Sequence, residues 1–296
     1  MEQVWFITGC SRGLGRAITE EALANGFKVA ATARDPGQLW ALKEKYGSQV
    51  ETIALNVTDA RAVDTAIARA IAVFGSIDVV VNNAGYGNVS PVEDLRLDDL
   101  HAQMETNFFG VVHVTKAVLP HMRLRGEGRI LQISSIGARL GTPGIAAYQA
   151  AKWAVEGFSE ALSKEVAPLG IEITIVEPGG FRTDWAGSSM TVGSIRQEYR
   201  PTVGVVADYL RQNSGKQPGD PSRAAKVILN LATIQKPPLR LLLGSDAVDL
   251  AEKTSRERIR EDEEWRSLSI STDFECEPVE IAYPWQNQET LTERAR

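Results

Sequence analysis

Residues that can move a proton lie close together in the stretch 130–158, ILQISSIGARLGTPGIAAYQAAKWAVEGF. Tyr148 and Lys152 are four residues apart, a spacing that places both side chains on one face of a helix. Ser134 and Ser135 lie where the preceding strand is predicted to end. A fixed ammonium beside a tyrosine favours the phenolate and lowers the tyrosine pKa. The stretch therefore predicts general acid–base chemistry.

The size of the required effect limits what the tyrosine can do unaided. With an ordinary pKa of ~10, a tyrosine is a poor base near neutral pH. Lowering that pKa by about 3 units corresponds to ~4 kcal/mol of preference for the phenolate, which calls for a second cation beside Lys152. A tyrosine and a lysine at this spacing also occur by chance on solvated helices, so the pair needs support from the rest of the chain.

Composition limits the classes of partner. The chain has 296 residues, a net charge of −6 and no basic stripe, so we predict no nucleic-acid partner. No apolar run approaches the ~20 residues of a membrane helix, and no secretory leader is visible, so we predict no membrane span. Two distant cysteines, Cys10 and Cys276, indicate a cytoplasmic protein. His101, His113 and His121 lack metal-ligand spacing, and no bound metal is predicted.

Strand-like and helix-like segments alternate along the chain, which predicts an α/β fold with a doubly wound, mostly parallel, seven-stranded sheet. The predicted strands are 4–8, 28–33, 50–56, 77–81, 130–134, 171–176 and 239–243. The predicted helices are 14–25, 38–46, 58–74, 97–124, one that begins near 146, 221–234 and 246–266.

The first strand is followed by the glycine-rich loop TGCSRGLGR, 8–16, and then by a helix. Glycines at this place allow a tight turn and let a pyrophosphate approach the helix N-terminus. An ordinary strand-to-helix turn would show the same glycines, so both interpretations remain open for this loop taken alone. A dinucleotide bound here would bring an oxidised nicotinamide ring, which is the second cation that the tyrosine needs.

The end of the second strand bears on the choice of dinucleotide. Sites for NAD usually place a carboxylate there, whereas this chain has Arg34, and Arg12 lies within the glycine loop. Guanidinium groups match the geometry of a 2′-phosphate. Asp35 is better placed to cap the helix entered at Pro36. The pattern favours NADP(H), unless the two arginines are simply solvated.

Other segments add polar or small residues at strand ends. NNAG, 82–85, follows the fourth strand, and EPGGFRT, 177–183, follows the sixth. Asn107 lies inside an otherwise apolar helix, where its amide could bend the helix or bind a water. The loosely patterned insertion 183–220 is typical of a lid over a binding site. Its Trp185 and Met190 could contact an apolar substrate, or its aromatic residues could cover the edge of the core.

Together these motifs closely resemble those of the short-chain dehydrogenases/reductases, in their NAD(P)-dependent subfamily. The resemblance covers about 3–243 and rests on TGCSRGLG, NNAG, Asn107, the serine, YQAAK and PGGFRT in that order. It implies a Rossmann-type oxidoreductase domain, 1–245, with a lid at about 183–220, followed by a C-terminal helix and tail, 246–296.

The resemblance also implies roles for single residues. Tyr148 would be the general acid/base, Lys152 would lower its pKa and hold the nicotinamide ribose, Ser135 would bind the substrate oxygen, and Asn107 would hold a water in a proton relay. The residues implied to bind the cofactor are Thr8, Gly9, Ser11, Arg12, Gly13, Leu14, Gly15, Arg34, Asn56, Val57, Asn83, Ala84, Gly85, Tyr148, Lys152, Pro178, Gly179 and Thr183. The residues expected to contact substrate are Ser135, Tyr148, Trp185 and Met190.

The leading hypothesis is an NADP(H)-preferring oxidoreductase that interconverts a ketone or aldehyde and an alcohol. The uncharged character of 185–192 suggests an apolar substrate, such as a steroid, retinoid, aromatic or fatty ketone. A dinucleotide-binding regulator without turnover and an epimerase or dehydratase on the same scaffold are the alternatives. The family usually forms homodimers or homotetramers through the long helices that hold Asn107 and Tyr148.

Overall fold

The computed structural model describes residues 3–187 and 190–274, and of Ala186 only the main chain. Cys276 and most of the predicted tail lie outside the described residues. The β-strands are β1 (Val4–Ile7), β2 (Lys28–Ala33), β3 (Val50–Ala54), β4 (Val79–Asn82), β5 (Gly87–Val89), β6 (Gly128–Ile133), β7 (Ile171–Pro178), β8 (Met190–Val192) and β9 (Arg240–Leu243). The α-helices are α1 (Gly13–Ala24), α2 (Trp40–Tyr46), α3 (Ala60–Phe74), α4 (Leu97–Met104), α5 (Gly110–Arg125), α6 (Ala146–Val166), α7 (Val205–Gln212), α8 (Pro221–Leu231), α9 (Ser245–Glu264) and α10 (Arg266–Ile270).

Seven of these strands form one parallel sheet in the order β3-β2-β1-β4-β6-β7-β9. The prediction of a doubly wound, seven-stranded α/β fold is confirmed. The strand order reverses between β1 and β4, and in sheets of this kind a crevice forms beyond the carboxyl ends of the strands at that point. Both loops predicted to bind a dinucleotide, after β1 and after β4, open into this crevice.

The core lies on both faces of the sheet, which explains why the strands are continuous apolar runs rather than alternating ones. Trp5 and Ile7 of β1 point to one face, where they pack in a cluster with buried residues of α1 and α8. Phe6 points to the other face, where the cluster includes residues of α3, α5 and α6. The helices that carry the site are therefore fixed by packing against a rigid sheet.

The helix ends follow the expected chemistry. The Asp59 side chain accepts hydrogen bonds from two backbone N–H groups at the start of α3, and Gly75 ends that helix with a left-handed backbone. The Asp35 side chain accepts a hydrogen bond from Gly37 N at 2.9 Å and caps the 3-10 turn Pro36–Leu39. The prediction that Asp35 caps the helix entered at Pro36 is confirmed.

Two features depart from the prediction. The stretch 97–124 is not one α-helix, because a π-helical turn, Glu105–Phe109, separates α4 from α5 at Asn107. The lid insertion contains a strand, β8, that pairs in parallel with β5 outside the main sheet. Strands of three residues are too short to give a recognisable alternation, so the sequence showed only a loosely patterned loop.

By its internal contacts the chain divides into two compact units, 1–251 and 252–296. In the second unit the described residues are the end of α9, α10 and the turn after it, and Glu252 pairs with Arg256 one helical turn along α9. No helix within the described part of the chain is long and apolar enough to cross a bilayer.

Candidate active site

Ser135, Tyr148 and Lys152 come together at the carboxyl end of β6. Ser135 follows the strand, and its Oγ accepts a hydrogen bond from Gly137 N at 3.0 Å, so its hydroxyl hydrogen remains available. That hydroxyl interacts with the Tyr148 phenol. Lys152 Nζ lies 5.9 Å from the centre of the Tyr148 ring. Ser135, Tyr148 and Lys152, which the sequence indicated as candidate acid–base residues, therefore lie in one site.

Burial controls the proton on Tyr148. The side chain is buried, and burial raises the pKa of Tyr148 to about 12, while the hydrogen bond from Ser135 opposes this rise only in part. The lowering of the Tyr148 pKa predicted for Lys152 included the second cation of a bound nicotinamide, and it stays a prediction. In the protein alone the pKa of Tyr148 is raised because removal of the phenolate from water outweighs the hydrogen bond from Ser135.

Lys152 is itself buried and held by the sheet. Its Nζ donates a hydrogen bond to the Ile133 carbonyl at 2.7 Å. Burial lowers the pKa of Lys152 to about 8, and the nearby Glu156 carboxylate limits that fall. An ammonium has three donors. One is used on Ile133, so two can reach hydroxyl groups of a bound molecule.

Asn107 lies in the π-helical turn and is fully buried. Its Nδ2 donates to Tyr86 O at 2.9 Å and to Gln103 Oε1 at 2.5 Å, and its Oδ1 accepts from Tyr86 N at 3.0 Å. Both amide donors are thus occupied, and a water could bind this side chain only at the second lone pair of Oδ1. The visible effect of Asn107 is to fix the backbone just after the NNAG turn.

The glycine loop and the NNAG turn are hydrogen-bonded to each other and closely packed. Gly9 and Gly13 both have positive φ angles, of 72° and 60°. A Cβ on Gly15 would lie 2.3 Å from Asn83 Nδ2, so only glycine fits there. Asn83 Nδ2 also donates to Thr8 O at 2.9 Å, and Thr8 Oγ1 accepts from the N–H groups of Asn83 and Ala84. These hydrogen bonds hold the two turns side by side at the crevice.

The α1 helix begins at Gly13 with neither a side-chain cap nor an acidic residue in its first turn. Its first N–H groups therefore remain available to an anion, which the helix dipole also favours. Ser11 and Leu14 are half-buried beside this end of the helix. These are the features that a dinucleotide pyrophosphate requires, so the residues present fit the predicted cofactor.

Arg12 and Arg34 are both exposed at the same crevice. Neither guanidinium has a carboxylate partner among 3–187 and 190–274. Asp35, the one acidic residue at the end of β2, is engaged in its helix cap.

Further along the crevice, Asn56 is exposed and its Oδ1 accepts from Thr58 N at 3.3 Å. Val57 is buried, and the His113 ring is bonded to its carbonyl oxygen.

The loop after β7 is the last segment that contributes to the site. Pro178 pairs with Leu243 at the end of the strand, and Gly180 N donates to Asp246 Oδ2 at 2.7 Å. A Cβ on Gly179 would lie 2.4 Å from Asp246 Oδ1. The Thr183 side chain then accepts from Trp185 N at 3.3 Å and approaches Gly13 across the crevice.

The predicted substrate residues cover Tyr148 from the lid side. The Trp185 and Tyr148 ring centres are 5.0 Å apart with a tilt of 57°. A Cβ on Gly87 would lie 2.9 Å from Trp185 Cζ2 and 3.6 Å from Met190 Cε. Gly87 and Met190 are also paired in the β5–β8 ladder. Trp185 and Met190 therefore lie next to the acid–base residues.

Sequence reasoning missed several residues of this site. Asp246 and Gln103 fix backbone and side-chain positions, and both looked like ordinary polar residues of helices. Tyr86, whose backbone Asn107 binds, has a raised pKa because of burial. The one available signal was local: Asp246 comes two residues after Gly244, just beyond the last strand, where the carboxyl ends of parallel strands meet.

The short chain dehydrogenase family model matches residues 3–191. The chain belongs to this family. As an NAD(P)-dependent family member it is an oxidoreductase that acts on alcohol and carbonyl groups.

Known relatives agree with this placement. The chain is 52% identical to an oxidoreductase, BOA17, of Botryotinia fuckeliana over 92% of this chain and all of the relative. A crystal structure of a short-chain dehydrogenase from Streptomyces avermitilis has 41% identity and a TM-score of 0.87, covering 93% of this chain and all of that one. An alcohol dehydrogenase from Thermococcus sibiricus, solved with 5-hydroxy-NADP, has 26% identity and a TM-score of 0.67, covering 82% and 96%.

Proposed function

We propose that the chain is an NADP(H)-preferring oxidoreductase that interconverts a ketone or aldehyde and an alcohol, with Tyr148 as general acid and base. The observation that carries this proposal is that Lys152 Nζ lies 5.9 Å from the centre of the buried Tyr148 ring, and that its hydrogen bond to the Ile133 carbonyl fixes it at the end of the strand that Ser135 follows. A bound nicotinamide would supply or accept the hydride at the carbonyl carbon.

The raised pKa of Tyr148 suits it to donate a proton when a carbonyl is reduced. With a pKa of about 12 the phenol is fully protonated at neutral pH and can act as an acid. Ser135 would turn its hydroxyl hydrogen from the Tyr148 phenol to the same substrate oxygen. Lys152 would use its two remaining donors on the ribose and return a proton to Tyr148. For the reverse reaction Tyr148 must act as a base, which needs added positive charge nearby.

The cofactor would lie along the crevice from the glycine loop to the β7 loop. Thr8, Gly9, Ser11, Gly13, Leu14 and Gly15 would hold the pyrophosphate, Asn56, Val57, Asn83, Ala84 and Gly85 the adenosine side, and Pro178, Gly179 and Thr183 the nicotinamide. Gly85 is central to this path, because a Cβ there would lie 3.7 Å from Lys152 Nζ.

Tyr148→Phe tests the proposal, with Tyr46→Phe on α2 as a matched control. We expect Tyr148→Phe to lower kcat for carbonyl reduction by about a thousandfold, the usual range for a lost acid–base group, with little change in the dissociation constant of NADPH. The assay is NADPH absorbance with a panel of ketones and aldehydes. Wild-type turnover by Tyr148→Phe would refute the role of Tyr148, and NADPH binding without any turnover would favour a regulator.

The preference for NADP(H) rests on Arg12 and Arg34, whose guanidinium groups have no carboxylate partner within the part of the chain that the structure describes. Each is free to bind a 2′-phosphate through paired N–H donors. We expect Arg34→Asp to lower the selectivity for NADP(H) over NAD(H) by about tenfold or more, since it also places a like charge near the phosphate. Arg61→Asp on α3 is the control. An unchanged ratio of kcat/KM for the two cofactors in Arg34→Asp would remove Arg34 from the proposal.

The lid supports an apolar substrate. A cavity of about 330 Å³ opens between β8 and α7 and is lined by Gly187, Met190, Val192, Leu210, Arg211 and Ser214. That volume is at the lower end of the range for small-molecule sites. Three of its side chains are apolar, and the Trp185 ring adjoins Met190 through Gly87. An apolar ketone body could extend from Tyr148 toward this cavity.

We also propose a homodimer or homotetramer built on the helices that hold Asn107 and Tyr148. Leu97 on α4 and Phe109 in the π-helical turn are 68% and 40% exposed, and Trp153 on α6 is 44% exposed. Large apolar side chains on neighbouring helices form a surface that a second copy could cover.

A further inference from the structure

Ser135 lies in the loop that joins β6 to α6, thirteen residues before Tyr148 along the chain. Its backbone is extended, with φ −169° and ψ 153°, and it precedes the 3-10 turn Ile136–Ala138. One short turn supplies few backbone hydrogen bonds, so it gives a loop of this length little internal support. The direction of the Ser135 hydroxyl therefore depends on contacts that the loop makes with other elements.

Gly137 connects Ser135 to α6 through both of its backbone groups. Its N–H donates to Ser135 Oγ at 3.0 Å, and its carbonyl oxygen accepts from Trp153 Nε1 at 3.1 Å. The indole N–H is the one hydrogen-bond donor of a tryptophan side chain, and Trp153 uses it on this carbonyl. The glycine lies close to the serine, since a Cβ on Gly137 would be 3.3 Å from Ser135 Oγ. Trp153 thus holds the residue that in turn holds the Ser135 oxygen.

Gln149 holds a later part of the same loop. Its Oε1 accepts from Thr142 N at 2.8 Å, and its Nε2 donates to Leu140 O at 2.8 Å and to Thr142 Oγ1 at 3.2 Å. The Gln149 side chain is buried, and both of its amide hydrogens are used on the loop. A movement of the loop away from α6 would leave these buried polar groups without partners, which is costly.

The two residues that hold the loop form a second row on the helix that carries the acid–base residues. Gln149 directly follows Tyr148, and Trp153 directly follows Lys152. Successive residues of an α-helix are turned by about 100°, so the second row lies on the neighbouring side of α6, with its two members one turn apart. All four residues belong to one continuous helix. A single element therefore orients Tyr148 and Lys152 directly, and Ser135 through the loop.

We propose that Trp153 and Gln149 are positioning residues that keep the Ser135 hydroxyl directed at the substrate oxygen. The proposal rests on the function proposed above for Ser135. The Gly137 N–H occupies a lone pair of Ser135 Oγ, so the hydroxyl hydrogen points away from the turn. Without the indole hydrogen bond the turn is free to shift, and a misplacement of about 1 Å slows a reaction that depends on orientation.

Trp153→Phe tests the proposal, because phenylalanine keeps an aromatic ring and removes the indole N–H. Trp40→Phe is the matched control, since Trp40 is also an exposed tryptophan and lies on another helix, α2. Each substitution is made in the wild-type protein and again in Ser135→Ala. We would measure kcat/KM for carbonyl reduction and the dissociation constant of NADPH, with a high enzyme concentration where activity is low.

In the wild-type background we expect Trp153→Phe to lower kcat/KM about fivefold, as for one lost hydrogen bond, and to leave NADPH affinity unchanged. In Ser135→Ala the same substitution should have almost no effect, because the hydroxyl that it positions is absent. Trp40→Phe should change neither quantity in either background. An equal loss of kcat/KM in both backgrounds would show that Trp153 acts independently of Ser135 and would overturn the proposal.

Gln149→Met is the second variant, since methionine has a similar length and neither a strong donor nor a strong acceptor. It should also lower kcat/KM in the wild-type background and have little effect in Ser135→Ala. If Gln149→Met does not fold, Trp153→Phe decides the matter, because the Trp153 side chain is 44% exposed and its replacement leaves the core intact.

Amide hydrogen exchange separates a failure of this proposal from a failure of the proposed function, because it needs no substrate. The segment 136–142 should exchange faster in Trp153→Phe than in wild type or Trp40→Phe. Unchanged exchange of this segment in both Trp153→Phe and Gln149→Met would overturn the proposal even where carbonyl reduction is observed. If the wild-type protein reduces no carbonyl compound, the proposed function fails, and the exchange of 136–142 still decides whether Trp153 and Gln149 hold the loop.

Discussion

At the scale of single residues, burial disfavours the charged forms of both Tyr148 and Lys152. It raises the pKa of Tyr148 to about 12 and lowers the pKa of Lys152 to about 8. Both shifts have the same physical cause, the cost of taking a charge out of water. The site in the protein alone is therefore prepared to give a proton to a substrate oxygen rather than to take one.

The pKa of Lys152 gives a prediction about pH. The ammonium is lost as the pH rises through about 8, so we expect kcat/KM for carbonyl reduction to fall above that pH. In Lys152→Met the small residual activity should lack this fall. Because the folded-state pKa is lowered, the unfolded chain holds the proton up to about 10.5. The free energy of unfolding should consequently rise between about pH 8 and 10.5 in wild type relative to Lys152→Met, measured by chemical denaturation.

Gly85 gives a second prediction at this scale. A Cβ at this position would lie 2.7 Å from Asn107 Oδ1, which cannot move without breaking its bonds to the Tyr86 backbone. We expect Gly85→Ala to cost about 1–3 kcal/mol of stability and to weaken NADPH binding. Gly141→Ala is the control, since a Cβ there meets nothing within 4 Å. Equal NADPH dissociation constants for the two variants would contradict this account of Gly85.

From spacing alone, the sequence could bring together residues of the site only where they are close in the chain. Tyr148 and Lys152 lie one turn apart on a helix, so the sequence alone brought them together. Gly85 and Asn107 meet through the packing of the π-helical turn against the loop after β4, and no local pattern reveals that contact.

At the scale of elements, the lid is tied to the body by the short β5–β8 ladder and by contacts of Arg196 and Tyr199 in the middle of the insertion. Arg196 pairs with Glu93 at 2.8 Å and with Asp94 at 2.7 Å. Tyr199 Oη donates to Glu93 Oε2 at 2.6 Å. Exposed pairs of this kind contribute little stability each, so the position of the lid depends mainly on its small apolar core, which includes Val89, Val203 and Ala207.

Trp185 is the lid residue whose ring lies against Tyr148. Its ring covers Tyr148, so we expect Trp185→Ala to admit water and to bring the pKa of Tyr148 down from about 12 toward its ordinary value. The variant should also raise KM for apolar ketones more than for small polar ones. Ultraviolet titration of tyrosine and steady-state kinetics would measure both effects, with Trp40→Ala on α2 as control. An unchanged KM for apolar ketones would remove Trp185 from the substrate site.

The main elements were predictable to within a few residues because buried parallel strands are continuous apolar runs. Lys28–Ala33 was predicted with its observed bounds, and the helix that carries Tyr148 begins at Ala146 as expected. The lid was not predictable in detail. Its strand β8 and helix α7 are short, and their contacts are with each other and with β5, so neither shows a strong period of its own.

At the scale of the whole molecule, the sheet explains why residues as distant as Thr8 and Asp246 serve one site. Each strand of a parallel sheet delivers the residue after its carboxyl end to the same edge, and the reversal of strand order leaves room for a ligand there. The first strand supplies the glycine loop and the last supplies Asp246, which fixes the loop after β7. The site is thus a product of the topology, and it requires β1–β9 to be in place together.

The same topology leaves α4, α5 and α6 with one face that the sheet does not cover, and this leads to a prediction about assembly. Leu97 and Phe109 are exposed on this face, and a carboxylate buried between two copies would lose its hydration without a partner. We expect Phe109→Glu to convert the oligomer to a monomer in sedimentation experiments, whereas Val73→Glu, at an exposed position on α3, should leave the assembly unchanged. Since Asn107 lies in the same π-helical turn as Phe109, the monomer should also bind NADPH more weakly. A wild-type protein that sediments as a monomer would refute the proposed oligomer directly.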